Sequence, residues 1–157
     1  MYPYIIGIII VVIDQLIKVG VIKYISIIDS KTIIPGILNF TYLENRGVAF
    51  GMFSGGGIVF ILLSSIILVA LVGMIEKSKY EELFFTTLLA FIMGGAVGNL
   101  IDRIRYGYVV DFIHFTFFPY VFNFADSCVV IGSIVLATYL VFWDKGDTLF
   151  KSKGIYE

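Results

Sequence analysis

The stretch GIVFILLSSIILVALVGMI, residues 57–75, decides the fold class of this chain, because it carries no charged residue across a length that matches the bilayer core. A helix rises about 1.5 Å per residue, so roughly 20 apolar residues cross the hydrocarbon. Working outward, three further stretches have this character, at 4–23, 83–101 and 126–143. The whole chain of 157 residues is 59% hydrophobic and 15% charged, and its mean hydropathy is +0.99. Those values lie outside the range of soluble domains. The reading is an all-α membrane protein of four transmembrane helices, with residues 1–157 forming a single integral membrane domain. The first apolar run has no Lys or Arg before it and no small-residue cleavage site after it, so it reads as a retained span.

Between the spans lie one short polar turn at 76–79 and two longer connections, 24–56 and 102–125. Stretches 33–43 and 108–118 within them are rich in β-branched and aromatic residues, which predicts short strands. An even number of spans puts both termini on one side and both long connections on the other. The positive-inside count ties, with Lys77, Lys79, Lys145, Lys151 and Lys153 against Lys23, Lys31, Arg46, Arg103 and Arg105. Arg46 and Arg103 fall inside motif-like clusters and so count less towards topology, which favours cytoplasmic termini.

Carboxylates near membrane depth cost a few kcal/mol each and are functional hypotheses by default. Asp14 and Lys18 stand four apart in the order that favours a same-face ion pair, and read as a neutralised pair packing against another span. The run from Glu44 to Gly51 contains Asn45, Arg46 and Gly47 and reads equally as a turn or as part of a site. In the third span Gly94 and Gly98 are spaced for close helix approach. Asn99 and Arg103 follow one turn apart, and Asp102 is placed to hold Arg103. Asp126, taken singly, reads as a helix cap, and Asp111 as a charged turn residue. Together, on one side and with Asn99, Arg103 and Asn123 nearby, they suit paired acid–base chemistry in which one carboxyl keeps a proton while the other activates water. No basic block suggests nucleic acid, and no Walker, dinucleotide or Gly-x-Ser-x-Gly motif is present. His114 has no partner set for zinc, and the single cysteine, Cys128, cannot form an internal disulfide.

The combination Asp14-Gln15 with Lys18, Asn45-x-Gly47 with Ala49-Phe50, Gly94-Gly95 with Gly98-Asn99 and Asp102-Arg103, Val110-Asp111-Phe112, and Asn123 with Ala125-Asp126 resembles the bacterial lipoprotein signal peptidases. The resemblance runs from about residue 10 to 140. It implies an aspartic intramembrane endopeptidase with a small β-rich cradle on the periplasmic or extracellular face of the bacterial cytoplasmic membrane. It also implies that Asp111 and Asp126 are the catalytic dyad, that Asn45, Gly47, Asn99, Arg103 and Asn123 line the site, and that Asp14, Lys18 and Asp102 support it. The implied substrates are diacylglyceryl-modified prolipoproteins cut on the amino side of the lipidated cysteine. Membrane lipids and globomycin-type inhibitors are the other implied partners, with no metal or cofactor.

Two other classes compete on the residues alone. A small proton-coupled transporter or channel subunit would use membrane carboxylates as a relay, but prefers acids in mid-span. A magnesium-dependent lipid transferase would use Asp102, Asp111 and Asp126 as oxygen ligands. The loop from Asn45 to Gly51, with Gly55, Gly56 and Gly57 as a hinge, is expected to close over substrate.

Overall fold

The computed structural model describes residues 1–47, 57–78 and 83–142. The expected closing loop beyond Gly47 and its hinge at Gly55 and Gly56 lie outside them, as do Lys79, Lys145, Lys151 and Lys153. Four helices are long and apolar enough to cross a membrane: α1 (Tyr2–Tyr24), α2 (Gly57–Lys77), α3 (Leu83–Tyr106) and α4 (Phe124–Phe142). A four-stranded antiparallel sheet joins them, with β1 (Ser30–Ile34), β2 (Leu38–Asn45), β3 (Val109–Phe115) and β4 (Val121–Phe122) paired in that order.

Helix α3 is the hub. It packs against α1, α2 and α4, and 56% of its span is buried against 11% for α2. Small residues make this possible, since little hydrophobic force draws helices together in lipid and close backbone approach must supply the packing. A Cβ on Gly98 would lie 2.6 Å from Asp14 Oδ2, and one on Gly94 would lie 2.9 Å from the Gly7 carbonyl oxygen. Gly95 meets the Ala125 carbonyl just as closely. Outward faces stay apolar, with Ile8, Leu16, Ile66, Val69 and Ile134 all exposed.

The sheet grows from the ends of these helices. Gly107, at φ 78°, takes the left-handed conformation that terminates α3, and its N–H donates to the Arg103 carbonyl at 3.0 Å. This sharp stop starts β3 two residues later. Strand β3 pairs with β2, setting Leu43 opposite Asp111 and Asn45 opposite Val109. The two long connections therefore meet as neighbouring strands. Val110 and Phe112 bury their side chains with Val21 and Ile25 of the α1 end, and Phe40 meets Phe112 edge to face at 5.6 Å. Each such burial contributes about 1.5–3 kcal/mol.

Both stretches form the expected short strands. Stretch 33–43 turns at Pro35-Gly36, with Gly36 at φ 73°, and divides between β1 and β2. Proline sets the first turn position and glycine supplies the positive φ, so local chemistry overrides the β-branched composition. Stretch 108–118 likewise stops at Phe115, where the chain turns and returns as β4.

Candidate active site

Strand β3 places Asp111 inward, fully buried among Val109, Val110 and Phe112. Two asparagines hold its carboxylate. Asn45 Nδ2 donates to Asp111 Oδ2 at 2.8 Å, and Asn123 Nδ2 donates to Asp111 Oδ1 at 2.6 Å. Burial and the neighbouring Asp126 charge push this carboxyl up to about 7, against the opposing pull of the two asparagine bonds.

Asp126 enters the site from the start of α4. The helix begins at Phe124, so the cap is Asn123 and not Asp126. Asp126 stands at the third helical position in a reciprocal arrangement: its N–H donates to Asn123 Oδ1 at 2.8 Å, and the Asn123 N–H donates to Asp126 Oδ2 at 3.2 Å. This is the capping box with asparagine and aspartate in the two roles. It leaves Asp126 Oδ1 to receive Asn99 Nδ2 at 2.7 Å. One residue, Asn123, thereby touches both aspartates and brings them side by side.

Below the two acids lies a closed ionic cluster. Lys18 Nζ is 2.9 Å from Asp14 Oδ2, 2.8 Å from Asp102 Oδ2 and 3.0 Å from Asn99 Oδ1. Gln15 Nε2 adds a bond to Asp102 Oδ1 at 2.9 Å. The two acids also fix backbone: the Ala125 N–H donates to Asp14 Oδ1 and the Val110 N–H to Asp102 Oδ2, each at 3.1 Å. Asp102 therefore does not hold Arg103. Consecutive helical residues point about 100° apart, so the α3 face that buries Asp102 against α1 turns Arg103 away. Asp102 is also removed from any three-carboxylate metal set with Asp111 and Asp126. Arg103 instead donates from Nη1 to the Asn99 carbonyl at 3.3 Å and lies over the Phe60 ring of α2 at 5.5 Å.

A cavity of 460 Å³ opens beside these groups. Asn45, Asn99, Arg103 and Asp126 make its polar wall, while Ala96, Val129, Val130 and Tyr120 to Phe122 make an apolar one. Asp126 faces this space, and Asp111 sits behind it. Gly47 donates its N–H to Asn45 Oδ1 at 3.0 Å, and the Phe60 ring occupies the place a side chain would need there. His114 lies apart on the sheet, its Nδ1 3.3 Å from Thr41 Oγ1. Cys128 is buried on the inner face of α4.

Sequence reasoning misses Ala96, Tyr120 to Phe122, Val129 and Val130 as walls of the cavity, because apolar residues beside a site carry no mark that separates them from lipid-facing ones. Gln15 enters the sequence reading only through the Asp14-Gln15 pair, and the structure shows it half-buried and bonded to Asp102.

The pattern of the family described as Signal peptidase (SPase) II matches residues 6–142. A lipoprotein signal peptidase of Caldanaerobacter subterraneus subsp. tengcongensis is 45% identical over 133 residues, covering 85% of this chain and 91% of its own. The one from Lactobacillus johnsonii is 39% identical over 144 residues, covering 91% and 94%. Two solved structures, both described as bacterial membrane enzymes determined by the in meso method, superpose with TM-scores of 0.80 and 0.81 at 35% and 37% identity. They cover 99% and 91% of this chain, and it covers 94% of each. With this match along nearly its whole length, four apolar helices and a small antiparallel sheet, the chain is a multi-pass membrane peptidase of the signal peptidase II family.

Proposed function

We propose that this protein is an aspartic endopeptidase that removes the signal peptide from diacylglyceryl-modified prolipoproteins, cutting on the amino side of the lipidated cysteine. The observation that carries this reading is the pair Asp111 and Asp126, bridged by Asn123 and held by neutral amides, with Asp126, Asn45 and Asn99 lining one cavity. No cation bonds to either carboxylate in the described residues, so the two share their charge, and one proton between them is favoured at neutral pH.

On this reading the two acids divide the labour. Asp126 faces the cavity and takes a proton from water as the water oxygen attacks the scissile carbonyl carbon. Asp111, which titrates near 7, donates its proton to the carbonyl oxygen. The tetrahedral intermediate collapses as Asp126 passes its proton to the leaving nitrogen and Asp111 recovers one from the hydroxyl that becomes the new carbonyl. General acid–base assistance of this kind is worth about 10²–10⁴-fold. Arg103 and Asn45 on the cavity wall orient the substrate backbone, and the apolar wall receives the signal segment. The acyl chains of the substrate stay in the surrounding lipid.

Residues 1–157 form one membrane domain in the bacterial cytoplasmic membrane on this reading, with cytoplasmic termini and the site near the outer leaflet. Globomycin-type peptides would compete for the cavity. The test is gel-shift cleavage of a diacylglyceryl-modified precursor by purified protein in detergent, with wild type, Asp111→Asn and Asp126→Asn, with and without EDTA. Cleavage by wild type in EDTA, lost in both variants, is expected. A folded wild type that leaves lipidated precursor intact, or variants with full activity, would turn the reading towards proton-coupled transport.

A further inference from the structure

Three asparagines touch the two aspartates, and each has its side-chain oxygen occupied by a group that can only donate. The Gly47 N–H holds Asn45 Oδ1, the Asp126 N–H holds Asn123 Oδ1, and the Lys18 ammonium holds Asn99 Oδ1. An amide whose oxygen is pinned must turn its NH₂ the other way. In all three cases that NH₂ reaches a carboxylate of the pair. Two of the pins are backbone and come with the local turn or helix. The third is a side chain from another helix, and it alone could be absent in an otherwise identical fold.

We infer that Lys18 is a positioning residue whose function is to fix the polarity of Asn99, so that Asp126 always meets an N–H donor and never an amide oxygen. Without Lys18, only the Asn123 Nδ2 contact at 3.1 Å opposes a 180° rotation of Asn99 at χ2, which keeps nearly the same shape and would set its carbonyl against the Asp126 carboxylate. An ammonium carries three N–H groups and no acceptor. All three are used, on Asp14 Oδ2, Asp102 Oδ2 and Asn99 Oδ1. Lys18 is 1% exposed, so no water competes for them. Asn99 Oδ1 also accepts Asn123 Nδ2 at 3.1 Å, so the same pin extends to the residue that bridges the pair. The charged groups around Asn99 are Asp14 and Lys18 from α1, Asp102 and Arg103 from α3, Asp111 from β3 and Asp126 from α4.

This inference rests on the proposed dyad and differs from a role in which Lys18 only neutralises Asp14 and Asp102. Lys18→Met combined with Asp14→Asn removes one positive and one negative charge together and leaves the local net charge as it was. The precursor-cleavage assay then compares wild type, Asp126→Asn and this double variant, with size-exclusion chromatography as the check on folding. The expected result is a folded double variant whose kcat falls about 100-fold with KM little changed, the loss typical of a misaligned reacting group. Its pH profile shifts as well, because a carboxylate facing an amide oxygen has lost the donor that stabilises its charge. Wild-type kcat and pH profile in the double variant would overturn the polarity role and leave the dyad standing. Should the double variant fail to fold, Asn99→Asp decides, since it keeps acceptors for Lys18 and Asn123 but has no N–H for Asp126. A comparable loss supports the inference, and wild-type turnover overturns it. A wild type that cannot cut, or an Asp126→Asn variant that can, overturns the dyad and the inference together.

Discussion

Two pairs of carboxylates sit one above the other in this protein, and they are built on opposite principles. Asp14 and Asp102 share one lysine, are fully buried, and each grips the backbone N–H of the residue just before a member of the other pair, Ala125 before Asp126 and Val110 before Asp111. Asp111 and Asp126 receive neutral donors among the described residues, and Asp126 lines a cavity. The compensated pair locks four elements together, since α1, α3, β3 and α4 all contribute to it. The uncompensated pair is left with proton affinity to use. Burial alone does not tell the two pairs apart; the bonded cation does, and on the proposed reading it marks the structural acids off from the reactive ones.

Removing a carboxylate from each pair should have opposite signatures. Asp111→Asn or Asp126→Asn keeps the shape of the side chain and the fold, while cleavage falls by about 10²–10⁴-fold in the precursor assay. Asp102→Ala leaves Lys18 with Asp14 as its one carboxylate and takes the acceptor from the buried Val110 N–H and from the Gln15 amide, and an unsatisfied buried donor costs about 1–3 kcal/mol. Thermal unfolding in detergent should show a large drop in Tm for this variant. If Asp102→Ala melted like wild type, the division between the pairs would be wrong.

Titration sharpens the contrast. Asp111 binds its proton more tightly when folded, so its contribution to stability is complete below about 3.8 and is lost as pH rises through about 7. Cleavage should decline above about pH 7 for the same reason, because the donor proton is gone. A pH profile that stayed level to about pH 9 would remove Asp111 from the acid role. The smallest expected effect is at the seam between the pairs. Gly98→Ala would press a methyl against Asp14 Oδ2 from 2.6 Å, costing about 1–3 kcal/mol. A Tm unchanged in Gly98→Ala would mean that α1 and α3 can part without disturbing the ionic cluster.

Much of this architecture is legible in the sequence. Residues 57–75 need no partner to declare themselves a span, and the even number of spans places both long connections on one face. Asp111 and Asp126, with Asn99, Arg103 and Asn123, are legible as neighbours because span parity puts them on one side, whereas the part each asparagine plays comes only from the resemblance to a family, because nothing local in a lone Asn marks it as a ligand for a carboxylate. The hairpin at Pro35-Gly36 is written in turn chemistry, but the β-branched residues on either side outweigh it in a reading by composition. Asp102 reads as the partner of Arg103 for a different reason: Arg103 is adjacent along the chain, whereas Lys18 is adjacent only across the helix interface.

The sequence by itself determined the number of membrane crossings and the side on which the acids gather, since both follow from hydropathy and parity, which are properties of the chain counted along its length. The tertiary structure alone decided which acid has a cation, which way Asn99 turns, and which of the two aspartates faces the cavity. Those depend on the rotation of α3 against α1 and α4 and on the register of β3 beside β2. A rotation of α3 by one residue, about 100°, or one residue of register in β3 would exchange the roles of neighbouring side chains without altering a single apolar stretch.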